Sequence, residues 1–570
     1  MLRVLVVLVL VAACAASSTA TVRLPEVIRG SLTLTAAKSP YWVTQDTWIM
    51  AGATVTCEQN VLVKAKPGAR LMVYGTLIAA KTTFRTAKPK PTLADRWGGI
   101  WFVGADCSAS RLTEGCSIQA AGAPVQDPGL GSVSAAVVVW GDGQDVPKPE
   151  LHSCQIAGSA GDGVLVIAAA PVLDQCTIAR CTGRAVVFHG GGIADFAAPC
   201  VAAGNGANAA VFEGGGNGVF FPQQWRAPGF PYVVESVVSV LQGGSITIDP
   251  GVQLKMKTNA WLVADRGPIT APGLADKPIT IAGATTGAGA WHGIVVNAGD
   301  TGSSFEYCEV TGGGVGGAAD LSVTGGEVTV ANCRFAKGAA SGLWLQDCTA
   351  HVTGTTIEDH LSGVGIGILG STRATISECL IRRNGLAGVH LNGRPSVTLT
   401  PHNALLHNGS YDVINNTPNT VDAQWNYWGV VSAKVVSRRI FDGRDARGLG
   451  VVIFDHFLTA PLGGGAAASV ARLAIASAAA MPVRSGGVQV TYALTAPAVV
   501  QADIVNMAGR PIRRIAEEQE AAVGVNVLVW DGRSDAGLAV PAGRYLIRLQ
   551  ASGRSGERAQ ALAPVVIDQR

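Results

Sequence analysis

The chain has 570 residues, 48% apolar and 15% charged, which excludes general disorder and leaves room for several ordinary domains or one repeat array with an extra domain. Its 72 glycines imply many tight turns, but they lack the three-residue period of collagen. With 43 basic and 40 acidic residues the net charge is +3, and no Lys/Arg run is interleaved with aromatics, so no global field recruits nucleic acid.

Residues 1–20 read as a signal peptide, with Arg3 as the charge, 4–11 as the apolar core and small residues after it. That core is too short to span a membrane. Val11-Ala12-Ala13-Cys14 also has the form of a lipobox, in which Cys14 would be acylated; ordinary cleavage near Ser18-Thr19-Ala20 is the alternative. Both routes predict an exported protein, secreted or held at the cell envelope, that meets a membrane only through such an anchor.

The mature part divides into two related stretches, 21–229 and 230–462. Tyr41 returns as Tyr232, Trp97-Gly98-Gly99-Ile100 as Trp291-His292-Gly293-Ile294, and Cys116 as Cys308, at offsets of 191, 194 and 192 residues. An offset this steady over 75 residues marks an internal duplication. A Pro-rich span, 221–231, joins the halves, either as a kink in one solenoid or as a break between two.

Within 308–428 a shorter period appears. Leu343, Ile366 and Val389 lie 23 residues apart, and Cys308, Cys333, Thr355, Cys379 and Asn403 open a second series with steps of 25, 22, 24 and 24. Each unit is too short to bury an apolar face alone, so neighbours must stack. Alternating strand-like runs between Gly turns predict an all-β solenoid of coils of about 23 residues. Of the twelve cysteines, seven (Cys116, Cys154, Cys176, Cys200, Cys308, Cys333 and Cys379) share one local frame, which predicts a buried ladder of parallel free thiols. Pairing of Cys57 with Cys107, or of Cys176 with Cys181, stays open.

The stretches opening at Tyr41-Trp42-Val43 and Tyr232-Val233-Val234, the Trp-Gly-Ile element and Trp425-Asn426-Tyr427-Trp428-Gly429 resemble bacterial exported right-handed parallel β-helix proteins of the pectin-lyase-like group. The resemblance covers roughly 41–462 and implies that the Trp-Gly element closes the last coil. It does not imply one activity, because that fold hosts lyases, hydrolases, adhesins and spacers.

Residues 463–481 read as a Gly/Ala-rich linker and 482–570 as a small β-sandwich of short alternating strands. Trp530-Asp531-Gly532-Arg533 and Val540-Pro541-Ala542-Gly543-Arg544-Tyr545 resemble the Ig-like domain of the flagellar hook-capping protein FlgD, which implies an attachment or sorting module.

The candidate site follows from the repeat step. A 24-residue shift sets Glu358 beside Arg382, Asp359 beside Arg383 and His407, and His360 beside Asn384 and Asn408. Strand neighbours lie about 4.8 Å apart, so these eight residues are predicted to form an outward stripe able to bind a sugar chain, with Arg holding carboxylates and the acids or His available for proton transfer. The structural alternative is an edge of cross-strand ion pairs with Asn in Gly-flanked turns. No catalytic residue is assigned. No metal site is predicted, no cofactor is implied, and calcium enters only for a lyase, whose carboxylate cluster is missing: Asp320 stands alone among glycines. The favoured expectation is a non-catalytic glycan- or surface-binding protein; the alternative is a carbohydrate-active enzyme, either a polysaccharide lyase or a glycoside hydrolase. The partner is a polysaccharide or another cell-surface component.

Overall fold

A computed structural model describes residues 21–214, 216–297, 301–461, 474–482, 487–494, 498–521, 524–552 and 558–567. The signal-peptide and Cys14 readings and the 463–468 linker core lie outside the described residues. The chain divides into two compact units, 1–466 and 467–570.

The first unit is a parallel β-solenoid. Its strands are two to six residues long and alternate inward apolar with outward polar positions, as in Thr349–Thr353 and Arg373–Ser377. Each coil lays its strands in register on the coil before. Leu343 pairs with Ile366, Ile366 with Val389 and Val389 with Val413, while Ile357 pairs with Ile381 and Ile381 with Leu405. The 23-residue step of the sequence is therefore the length of one coil. These columns are fully buried, and each such side chain contributes about 2 kcal/mol on removal from water.

The two halves form one continuous solenoid, but with a turn between them. One sheet of sixteen strands runs from Val27–Ile28 to Ala404–Leu406 through both halves. The other two sheets of the first half end at Asp195–Ala198 and Val201–Ala203, and two ten-stranded sheets begin at Asn217–Val219 and Pro222–Trp225. The duplicated elements consequently occupy different faces. Tyr41–Val43 and Ser117–Gln119 lie in an eight-stranded sheet, whereas their counterparts Tyr232–Val234 and Cys308–Thr311 lie in the long one. Gly99–Val103 lies in the long sheet, and its counterpart Gly293–Val296 in a ten-stranded one. The second half thus repeats the first after rotation by one face. What is kept is internal: Trp97 and Trp291 are both buried, and their indole nitrogens donate to Gln119 O and Thr311 O at 2.9 Å.

One corner before the long sheet is held by a column of side-chain acceptors. Cys333 Sγ accepts from Cys308 N at 3.3 Å, Thr355 Oγ1 from Cys333 N at 3.2 Å, Asn403 Oδ1 from Cys379 N at 2.9 Å and Asn426 Oδ1 from Asn403 N at 2.8 Å. The eleven described cysteines are all buried and free. Trp428, 2% exposed, packs edge-on toward Phe454 in the last coil, whose strands Ile440–Phe441 and Val452–Ile453 complete the two ten-stranded sheets.

The second unit is an antiparallel β-sandwich. A three-stranded sheet orders Ile475–Pro482, Val488–Leu494 and Gly524–Trp530; a four-stranded one orders Pro511–Ala521, Ala498–Asn506, Gly543–Ser552 and Arg558–Ile567. Its first strand falls inside the stretch read as linker, which is shorter than expected because Ile475, Ala478 and Ala480 pack against the core. The two motifs of this unit are turns tied to that core: Trp530 Nε1 donates to Arg533 O at 2.9 Å, and Tyr545 OH to Pro541 O at 2.8 Å.

Candidate functional site

The eight stripe residues lie where strands Thr356–Glu358, Leu380–Arg382 and Ala404–Leu406 of the long sheet leave it for the next face. Of the neighbours expected from the 24-residue shift, Glu358 meets Arg382, Asp359 meets Arg383, and His360 meets Asn384, which meets Asn408. Their direction is not as expected. Asp359, Arg383 and His407 each adopt the left-handed conformation, with φ of 61°, 53° and 54°. A single residue of this kind bends the chain sharply at the corner, so the residue at the bend projects outward and the one after it turns into the solenoid.

The outward group is an ion-pair lattice. Glu358, its side chain only 5% exposed, is held by Arg334 at 2.8 Å and by Arg382 and Arg383 at 2.7 Å each. Arg334 also reaches Glu309 at 2.9 Å, and Arg383 grips both oxygens of Asp359, at 2.6 and 2.8 Å. Burial pushes the Glu358 carboxyl up, but Arg382 and Arg334 outweigh it and hold it below the usual carboxylate range. The hydrogen bonds from Arg383 likewise hold Asp359 low, against a smaller opposing push from burial. Both acids are therefore ionised and engaged at neutral pH. His407 stays exposed.

The inward group is a buried polar chain. His360, Asn384 and Asn408 are buried, which corrects their expected place on an outward stripe. Asn408 Nδ2 donates to Ile381 O at 3.0 Å and to Asp412 Oδ1 at 2.9 Å; Asn384 Nδ2 donates to Ile357 O at 3.2 Å and to Asn408 Oδ1 at 3.0 Å. With both amide hydrogens so used, Asn384 presents Oδ1 to His360, whose Nδ1 must donate across 2.8 Å. On its other side His360 Nε2 lies 3.0 Å from Asp320 Oδ2, and neither side chain is exposed to solvent. That contact needs one proton between nitrogen and oxygen. Burial pushes the Asp320 carboxyl up, against the lowering effect of His360. The far end of the chain is anchored by Arg439, 3.0 Å from Asp412.

Asp412 and Arg439 were not singled out from the sequence, and Asp320 was read there only as an isolated acid among glycines. Their signal lies in the glycines. A Cβ at Gly342, Gly365 or Gly388 would come within 2.9 Å of His360 Cε1, 2.8 Å of Asn384 Nδ2 or 2.8 Å of Asn408 Nδ2. These three glycines are spaced 23 apart and make room for the polar column. Elsewhere Trp291 is buried, and His292 stacks on Trp261 at 4.3 Å between ring centres. Among the described residues no three His, Cys, Asp or Glu side chains converge as metal ligands.

Two family profiles match the sequence: a right handed beta helix region over residues 320–423 and an FlgD Ig-like domain over 480–555. The first match lies within the parallel β-solenoid and the second within the antiparallel β-sandwich. No curated protein matches the chain significantly. Among solved structures it is similar to a mutant of the periplasmic alginate epimerase AlgG, at 10% identity over 74% of this chain and 75% of that one, with a TM-score of 0.19. It is also similar to the A-module of the Azotobacter vinelandii mannuronan C-5 epimerase AlgE6 (11% identity, 76% and 91% covered, TM-score 0.17), and to unmutated AlgG (10%, 72% and 76%, 0.19). Likeness at this level says nothing of activity.

Proposed function

We propose that the chain is exported and works outside the cytoplasm as a non-catalytic binding scaffold. Its solenoid contacts a glycan or another surface component, and its Ig-like domain serves attachment or sorting. The observation that carries this reading is the internal engagement of the candidate stripe. Glu358 and Asp359 are neutralised by three guanidiniums, and His360, Asn384 and Asn408 are sealed in the wall. A general acid or base must reach its substrate within hydrogen-bond distance and have a pKa matched to its task; depressed carboxylates locked to Arg meet neither condition. A fixed, solvent-facing lattice of forked donors suits recognition instead.

The test is incubation of the intact protein with polyuronates and neutral glycans, with and without calcium. Retention on a polymer whose length and uronate composition stay unchanged is the expected result. Cleavage or epimerisation that disappears in Glu358→Gln, Asp359→Asn or Arg383→Gln would overturn the reading. Export is tested separately by fractionation, in which Cys14→Ser releases a lipid-anchored form from membranes.

A further inference from the structure

The corner that carries the stripe also carries a cavity. From one coil to the next, the connections leaving the long sheet at this corner shorten. Nine residues follow Ile279–Gly283, nine follow Cys308–Thr311, six follow Arg334–Ala336, five follow Thr356–Glu358, and four follow Leu380–Arg382. Beside the longer connections lies an open pocket of about 540 Å³, lined among others by Thr285, Thr286, Ala288, Thr311, Lys337, Asp359 and Leu361. That volume is in the range of small-molecule sites.

The lining has a definite chemistry. Asp359 faces the cavity with both oxygens already held by Arg383, so it repels an anion little. Lys337 occupies the same corner position one coil earlier, is exposed, and has no ion-pair partner among the described residues. The three threonines offer hydroxyls that both donate and accept. Gly287, where an added Cβ would meet nothing within 4 Å, keeps part of the wall low, so a sugar ring can approach backbone there. Leu361, 70% exposed, gives an apolar rim.

The geometry points to a binding site for a single carboxylated sugar: carboxylate on Lys337, ring hydroxyls on the threonines and a C–H face against Leu361. The sugar is either free or the end residue of a chain. This assignment rests on the binding-scaffold reading and names the ligand class for it.

Titration calorimetry of the intact protein tests it, with glucuronate, a trisaccharide ending in glucuronate, and glucose as the neutral control. Glucuronate is expected to bind about tenfold or more tightly than glucose, the difference that one charge-assisted hydrogen bond supplies. Lys337→Gln, at an exposed position, removes that difference, and Ala288→Phe fills the cavity and abolishes binding. Tighter binding of the trisaccharide than of the free acid supports a chain-end site, and the reverse order supports a free sugar acid. Equal affinity for glucuronate and glucose, or an unchanged affinity in Lys337→Gln, overturns the assignment. If the protein still binds a polysaccharide while Lys337→Gln has no effect, the assignment fails and the scaffold reading stands. If it cleaves or epimerises the polymer, the scaffold reading fails.

Discussion

Glu358 sits where three cations from the coils on either side converge, and it is the one acid that pairs with all of Arg334, Arg382 and Arg383. Removing one partner from a buried ionic group leaves the others uncompensated, so Glu358→Gln is expected to lower stability by about 3 kcal/mol, read as a shift in the denaturant midpoint of the solenoid. The same carboxylate sets an acid limit. Its folded pKa is depressed, so its contribution is fully present above the unfolded carboxylate range and is lost as pH falls through the folded value. Thermal melts taken from pH 7 downward should therefore fall more steeply for the wild type than for Glu358→Gln; parallel curves would remove Glu358 as the cause. The pairing of Glu358 with Arg382 could be read from the sequence, because it needs only the coil length. The side each residue faces could not. Three consecutive residues, Glu358, Asp359 and His360, end buried under arginines, outward and inward, because Asp359 takes a left-handed φ that no residue pattern announces.

At the scale of the element, two polar columns tie coil to coil, and they differ in tolerance. In the corner column the requirement is a small side-chain acceptor facing the backbone N–H of the preceding coil. Thr355 already fills that rung between Cys333 and Cys379. Cys333→Thr should accordingly change stability by no more than about 1 kcal/mol, while Cys333→Val, which removes the acceptor from Cys308 N, should cost about 2 kcal/mol. The buried column is directional and stricter. Asn384→Leu strips the acceptor from His360 Nδ1 and the donor from Asn408 Oδ1 together, and is expected to cost about 3 kcal/mol. Proton NMR should show the His360 ring hydrogen exchanging slowly in the wild type and fast in that variant. The sequence showed the frame of the cysteines, because a step of 22 to 25 residues returns the same inward position. It hid the buried column, since Asp320 reaches His360 across 40 residues and only the glycines at 342, 365 and 388 betray the space left for it.

For the solenoid as a whole, the critical place is the junction at which the second half is rotated by one face. Two of the three sheets stop and restart there, so the interior loses its regular columns and has to be filled otherwise. Aromatic side chains fill it. Phe212 stacks on Trp225 at 4.6 Å, Phe188 lies 4.9 Å from Phe212, and Tyr232 lies within 6.4 Å of Phe188, Phe196, Phe212 and Trp225. Trp225 also ties the restarted sheet to the old one, because its indole donates to Gln223 Oε1 at 3.0 Å and Gln223 Nε2 donates to Gly191 O at 2.7 Å. A repeat protein is as cooperative as its weakest interface between neighbours. Intact, this interface combines one uninterrupted sheet with a dense aromatic plug, and the two halves should unfold in a single calorimetric transition. Trp225→Ala would open a cavity at about 4 kcal/mol and leave the long sheet as the main link between the halves. The expected trace then splits into two transitions, with new proteolytic cuts confined to residues 221–231. A single transition shifted as a whole to lower temperature would instead mean that the long sheet alone couples the halves and that the aromatic plug only fills space.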